Sequence, residues 1–419
     1  MRLGLSVALV LALACGDDDG RGDDGGLDAA RDDAATDASS DVLVPDSSID
    51  VGTDGGQDAA TDGGGECPRV PAPGDRVRQV VVSHPFPAPS AIYEVFELDQ
   101  SGTLSRPGTT FELGRSTGGE IAFTPDGEVG LVAQEDGTLG VFRIDAAGVV
   151  EVVHAAYDGA FYAAGVIAAA DGTGAWVRDA QWRDSGGGVY WVEIGCDGSI
   201  ASERLVAPSK LPYAWLPRGD GTAVLFGRDV LDTVEGDDDG FIVDLAGPTV
   251  SATGDVFPDS DWIGAGADLT ADGAFALIGD NGLFSINRVA IARLGATSIT
   301  GAQIIEPLED PIAIVASPMN DAAIVASGFG NAIFRLVYDG DADPAWSNAG
   351  ELAYMGARPA LPGGAVAIES GLLTGLVLVA ENVGIRRVRF NGGGAVEDLG
   401  AFALGEGLEN IVGAIGVQP

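Results

Sequence analysis

The stretch Glu120–Val153, EIAFTPDGEVGLVAQEDGTLGVFRIDAAGVVEVV, constrains the fold of this chain most, because it sets four short alternating runs between three turn signals. IAFTPDG reads as a strand closed by a Pro-Asp-Gly turn and VGLVAQ as a second strand. After the tight hairpin Glu135–Gly137, LGVFRI is a third, and VVEVV beyond Asp145–Gly148 is a fourth. Such a meander is one propeller blade, and a blade buries its faces only against other blades.

The unit recurs down the chain. First strands start at Ile121, Val166, Ala214, Ala267, Ile314 and Ala365, spaced by 45, 48, 53, 47 and 51 residues, close to the ~40–50-residue period of propeller repeats. Each start is followed by further runs in the same order, such as AWVRDA then VYWVEI, or AFALIGD then LFSINR, so six complete blades fill Glu120–Leu404. Residues 77–113 hold three strands, VRQVVVSH, AIYEVFELD and TTFELG, without a first one; NIVGAIGV at Asn410–Val417 is a first strand with nothing after it. Joined, they make a seventh blade that closes the ring and removes its exposed edges. The expected fold is an all-β, seven-bladed β-propeller over residues 76–419, closed by pairing of the N- and C-terminal strands.

Phe123-Thr124-Pro125-Asp126-Gly127 and VASGFGNAIFRLVYDG at Val325–Gly340 resemble the repeats of the seven-bladed YVTN and lactonase-like propellers and, more loosely, of the TolB-type family. The resemblance spans residues 76–419 and implies the fold. Its members include lactone hydrolases, dehydrogenase subunits and binding scaffolds, so no single reaction is implied.

Ahead of the propeller, Arg2 and the apolar run Leu3–Ala14 form a signal-peptide core over residues 1–14, too short to span a bilayer. Leu11-Ala12-Leu13-Ala14-Cys15-Gly16 resembles the lipobox of bacterial lipoproteins, which implies lipid on Cys15, although Ala12 stands where Leu is usual. Residues 16–65 hold fifteen Asp, two Arg, no Glu and no aromatic. Such a segment cannot bury a core, and 15–75 reads as a lipidated Cys followed by an extended, disordered tether. Of the total charge of −41, the tether carries −13 and Arg2 adds one positive charge, which leaves −29 for residues 66–419. With Lys210 as its single lysine, the chain has no basic footprint for nucleic acid or anionic lipid. Membrane association is therefore expected only through Cys15, on an envelope leaflet that the sequence leaves open.

Cys67 and Cys196 are free to pair in an exported protein. Cys196 falls between third and fourth strands, at the lower face, and the prolines of Pro68–Pro73 extend the chain enough to bring Cys67 to that face beyond one intervening blade. A Cys67–Cys196 disulfide is expected.

The Asp-Gly pairs at 126–127, 136–137, 171–172, 197–198, 220–221, 272–273 and 339–340 read as tight turns. Asp339–Asp343 has the alternate acids of a calcium loop, but Pro344 and Gly350 stand where such a loop needs Gly and Glu. With only His84 and His154, no zinc or haem site is expected, and there is no nucleotide-binding glycine loop. The expectation is no cofactor and no resident metal.

Gly114–Gly118 matches G-x-S-x-G, and His154 and Asp158 follow toward the next blade, which makes Ser116, His154 and Asp158 the candidate catalytic set. The loops of the upper face, between blades and between second and third strands, gather Trp182, Arg183, Tyr213, Trp262 and Arg358, the expected ligand-binding residues. The function expected is non-catalytic binding or scaffolding at a bacterial envelope, by a monomeric propeller recognising a protein or glycan. The alternatives are a lactonase-like hydrolase using the upper face, through Ser116 or a carboxylate–amide metal site, and a calcium-dependent adhesin.

Overall fold

The computed structural model describes residues 69–419, except 117–118, 180–186, 229–238, 248, 258–261, 263, 282–286, 341 and 343 and the side chains of 228 and 302. The signal peptide, the tether, Cys15 and Cys67 lie outside the described residues. Twenty-eight strands among the described residues form seven four-stranded antiparallel sheets. The sheets are the blades of a ring. Six follow chain order from inner to outer strand, beginning with Ile121–Phe123, Val129–Ala133, Leu139–Ile144 and Val150–Tyr157.

The remaining blade is split between the termini. Its order is Ile415–Val417, Arg78–His84, Ile92–Leu98 and Leu104–Glu112, with Val80 opposite Val417, Val81 opposite Gly416 and Val82 opposite Ile415. The inner strand is shorter than NIVGAIGV: Leu408–Asn410 forms a 3-10 turn, and pairing with the next strand begins only at Ile415. Counting this blade as the first, those starting at Ile121, Ala163, Leu211, Gly264, Pro311 and Ala365 are the second to seventh.

Second strands such as VGLVA, FALIGD and LVLVAE are buried along their whole length, which explains why they read as continuous apolar runs. Successive side chains point to opposite faces. Val80 and Val82 accordingly pack on Leu376 and Leu378 of the seventh blade, whereas Val81 packs on Val132 and Phe142 of the second. The core thus lies between blades, and each fully buried Val or Leu contributes about 1.5–3 kcal/mol.

The Asp-Gly pairs form turns as expected. In the first of them Asp126 accepts from the Thr124 hydroxyl at 2.6 Å and the Glu128 amide at 3.0 Å, while Gly127 sits at φ +74°. A side chain at Gly127 would also collide with Arg76. The compact unit begins at Cys67. Residues 69–75, assigned above to the tether, therefore belong with the propeller.

These residues cross the lower face, where inner strands end. Arg69, buried, donates to Asp126 Oδ2 at 2.8 Å and to the Gly195 carbonyl at 2.7 Å, and the Ala72 amide donates to Pro125 O at 3.0 Å. Cys196 is disulfide-bonded. Arg69 places the chain against the residue next to Cys196, two positions after Cys67, so we expect Cys67 to be the partner. By loop-closure entropy a crosslink over roughly 130 residues is worth about 4–5 kcal/mol. Alkylation of the unreduced protein followed by peptide mapping should recover a Cys67–Cys196 peptide; a Cys15–Cys196 peptide, or alkylated Cys67, would overturn the assignment.

Candidate functional site at the channel mouth

Inner strands are edge strands, and they leave amides unpaired toward the central channel. Carboxylates satisfy several of them. Glu120 Oε2 accepts from the Val166 amide of the next blade at 3.0 Å. Asp268 accepts from Ala316 N and Leu269 N, both at 2.8 Å, and so joins the inner strands of the fifth and sixth blades. Four inner strands also carry an irregularity near their upper ends, at Ala163/Gly165, Pro212/Ala214, Gly264/Ala267 and Pro311/Ala313. A bulge releases backbone groups and re-aims its residue.

One of those released groups builds the site. Arg178 rises from the second strand of the third blade beside Gly165, where any side chain would overlap its guanidinium. Its Nη2 meets Glu120 Oε1 at 2.5 Å, and its Nη1 donates at 2.7 Å to the carbonyl of Tyr213, the residue in the fourth blade's bulge. Three consecutive inner strands thus converge on one guanidinium–carboxylate pair. Arg178 is 15% exposed and Glu120 44% exposed, so the carboxylate is open to water while the cation behind it is sheltered.

Lower in the channel wall, burial pushes the partly buried Asp268 up to about 7 against its two amide bonds, and Glu369 adds to the rise. Burial likewise lifts Asp239 to about 6 against the amides of Val256 and Phe257, helped by Asp255.

Several other described arginines also face carboxylates. Arg106 meets Glu94 at 2.6 Å, Arg115 meets Glu135 at 3.7 Å, Arg288 meets Asp280 at 2.8 Å and Arg358 meets Glu351 at 2.7 Å. Arg386 lies buried between Glu381 and Asp398. His84 is buried too, with Nδ1 3.1 Å from Ile411 O and Nε2 3.0 Å from Glu94.

The structure redistributes the residues singled out from sequence. Ser116 is 1% exposed, its hydroxyl donates to Ile92 O at 2.8 Å and its amide to Ser90 O at 2.7 Å. His154 lies not in an inter-blade loop but within the outer strand Val150–Tyr157, since that edge strand continues pairing with Leu139–Ile144; its ring packs edge-on to Tyr157. Asp158 is exposed, and among the described residues no hydrogen bond or ion pair joins it to Ser116 or His154. The three do not form a catalytic set.

Trp262 is likewise corrected from a surface anchor to core. It is 2% exposed, its ring stacked 4.2 Å from Phe257 and 4.6 Å from Tyr213. Gly264 leaves the space that these rings fill. Tyr213 serves the site through its carbonyl, and Arg358 is exposed but held bidentate by Glu351. Trp182 and Arg183 lie outside the described residues, as do Asp341, Asp343 and residues 236–238 of the acidic loops. No group of three or more His, Cys, Asp or Glu able to hold a metal occurs among the described residues.

Glu120 and Arg178 escaped the sequence reading. Arg178 and Asp179, two charged residues in the second strand AWVRDA, were the available signal, and Asp280 and Glu381 repeat at the ends of other second strands.

The fold is that of a seven-bladed β-propeller whose structural neighbours are lactonase-like. A Bacteroides uniformis protein assigned as a 6-phosphogluconolactonase superposes with a TM-score of 0.58 at 15% identity, over 82% of this chain and 99% of that one. The periplasmic gluconolactonase of Pseudomonas aeruginosa gives 0.57 at 16% identity, over 82% and 99%. At these identities the likeness establishes the fold alone. No protein-family model matches the sequence, and no curated protein matches it significantly.

Proposed function

We propose that this propeller hydrolyses lactones at the upper mouth of its channel, with Glu120 as general base and Arg178 as the group that polarises the ring carbonyl. The observation that carries this reading is the Arg178–Glu120 pair held by three inner strands; the lactonases among the structural neighbours support it. Water attacks the carbonyl carbon and loses its proton to Glu120 as the new C–O bond forms. Arg178 stabilises the developing oxyanion. The ring C–O bond then breaks, and its alkoxide takes the proton back from Glu120, giving a hydroxy acid that ionises at neutral pH. The pair needs only to separate slightly for a carbonyl oxygen to enter beside the guanidinium.

This chemistry is proposed to act outside the cytoplasm, from a lipid on Cys15, as the run LALACG and the acidic segment after it support. Non-catalytic binding of an envelope protein or glycan has one observation in its favour. Both Nη atoms of Arg178 already have partners, as in a purely structural brace.

The test is proton release from D-glucono-1,5-lactone at pH 7, with purified protein and with envelope fractions. Glu120→Gln should lower kcat on the order of 10²–10⁴-fold, and Cys15→Ala should move the activity out of the membrane fraction. Lactone that binds without turnover, or turnover unaffected by Glu120→Gln, would decide for the binding module.

A further inference from the structure

We infer that the channel mouth selects by charge, admitting uncharged polyhydroxylated lactones and rejecting those that carry a phosphate or carboxylate. The inference rests on the lactone reading and names its substrate class. Recognition of a phosphate needs a guanidinium or ammonium with donors to spare. Exposed Arg358 already faces Glu351, and buried Arg386 faces Glu381 and Asp398. The Arg178 guanidinium, held by the inner strands, is neutralised by Glu120 and capped by the Tyr213 carbonyl.

The surrounding field points the same way. Residues 66–419 carry −29, and the summed field of so acidic a domain lowers the local concentration of anions and slows their approach. A neutral ring enters such a mouth without electrostatic cost, whereas a dianionic phosphate is repelled by the acidic domain and meets, in Arg178, Arg358 and Arg386, guanidinium groups already paired with carboxylates. Hydrolysis then converts the neutral substrate into a hydroxy-carboxylate, which the same field expels. One arrangement of charge therefore serves both entry and product release.

Kinetics with D-glucono-1,5-lactone and its 6-phosphate, at low and high ionic strength, test this. The neutral lactone should be preferred on the order of 100-fold in kcat/KM at 20 mM salt, with its own rate insensitive to salt. The phosphorylated lactone should recover part of the deficit at about 0.5 M salt, because exposed charges are then screened within a few Å. Glu351→Gln, which leaves Arg358 unmatched on the rim, should raise kcat/KM for the phosphorylated lactone several-fold and leave the neutral one unchanged. Equal rates, or preference for the phosphate, would overturn the charge selection and leave the lactone reading standing. Failure to hydrolyse either would overturn the lactone reading, and the selectivity with it.

Discussion

Removing Glu409–Pro419 abolishes the cooperative thermal transition of the propeller. The deletion takes away the inner strand of the split blade, whose three residues pair with Val80, Val81 and Val82. It also strips partners from polar groups that cannot find water. Arg78, 1% exposed, loses the Gln418 carbonyl at 3.0 Å, and the Ser83 amide loses Ala414 O at 3.0 Å. Ile411, Val412, Ile415 and Val417 are all buried. At about 1.5–3 kcal/mol each, their loss alone is on the order of 6–12 kcal/mol, comparable with the about 5–15 kcal/mol that holds a typical domain together. Far-UV circular dichroism on heating checks this, and a melting temperature equal to that of the full chain would show that the termini do not share a blade. Gly416→Val, which keeps the length but drives a side chain into Ile121, should give a smaller loss in the same direction.

Stability should rise as pH falls from 8 to about 5, the reverse of the behaviour of a protein stabilised mainly by ionised carboxylates. Asp268 and Asp239 have folded pKa values raised from 3.8 to about 7 and about 6. Between about pH 4 and 7 the folded chain therefore binds protons that the unfolded chain does not, so its stability falls as pH rises through that window. Burial raises Asp310 and Glu381 as well. Glu94 and Asp126 act oppositely. Burial opposes their ionisation, but His84 and Arg106 hold Glu94 below its usual range, and Thr124, the Glu128 amide and Arg69 do so for Asp126. Their contribution is lost only as pH falls through those lowered values. The melting temperature should thus peak near pH 5, with a gain over pH 8 on the order of 2–4 kcal/mol. Scanning calorimetry at constant ionic strength reads it. Asp268→Asn should remove the step near pH 7, and a melting temperature that is flat or falling between pH 8 and 6 would refute the assignment.

The architecture was legible because blade formation is local. Alternating apolar residues, Asp-Gly turns and a period near 48 residues are properties of contiguous sequence, and the missing first strand at one end matched the surplus strand at the other. The site was not legible for the same reason. Glu120 and Arg178 are 58 positions apart, and Asp268 meets Ala316 across 48, separations that carry no signal until blades stack side by side. Ser116 matched a motif whose chemistry needs a different backbone, and its hydroxyl instead closes a turn onto Ile92.

Trp262 shows where the division falls. Its place on an upper loop followed from strand order, but the direction of its ring depended on the space that Gly264 leaves beside Tyr213 and Phe257. The sequence by itself determined the blade, the number of blades and the closure of the ring, since periodicity and turn chemistry act over a few residues. Only the tertiary structure decided which charges meet, which aromatic rings are buried and which backbone groups face the channel, because those depend on the packing of neighbouring blades around a common axis.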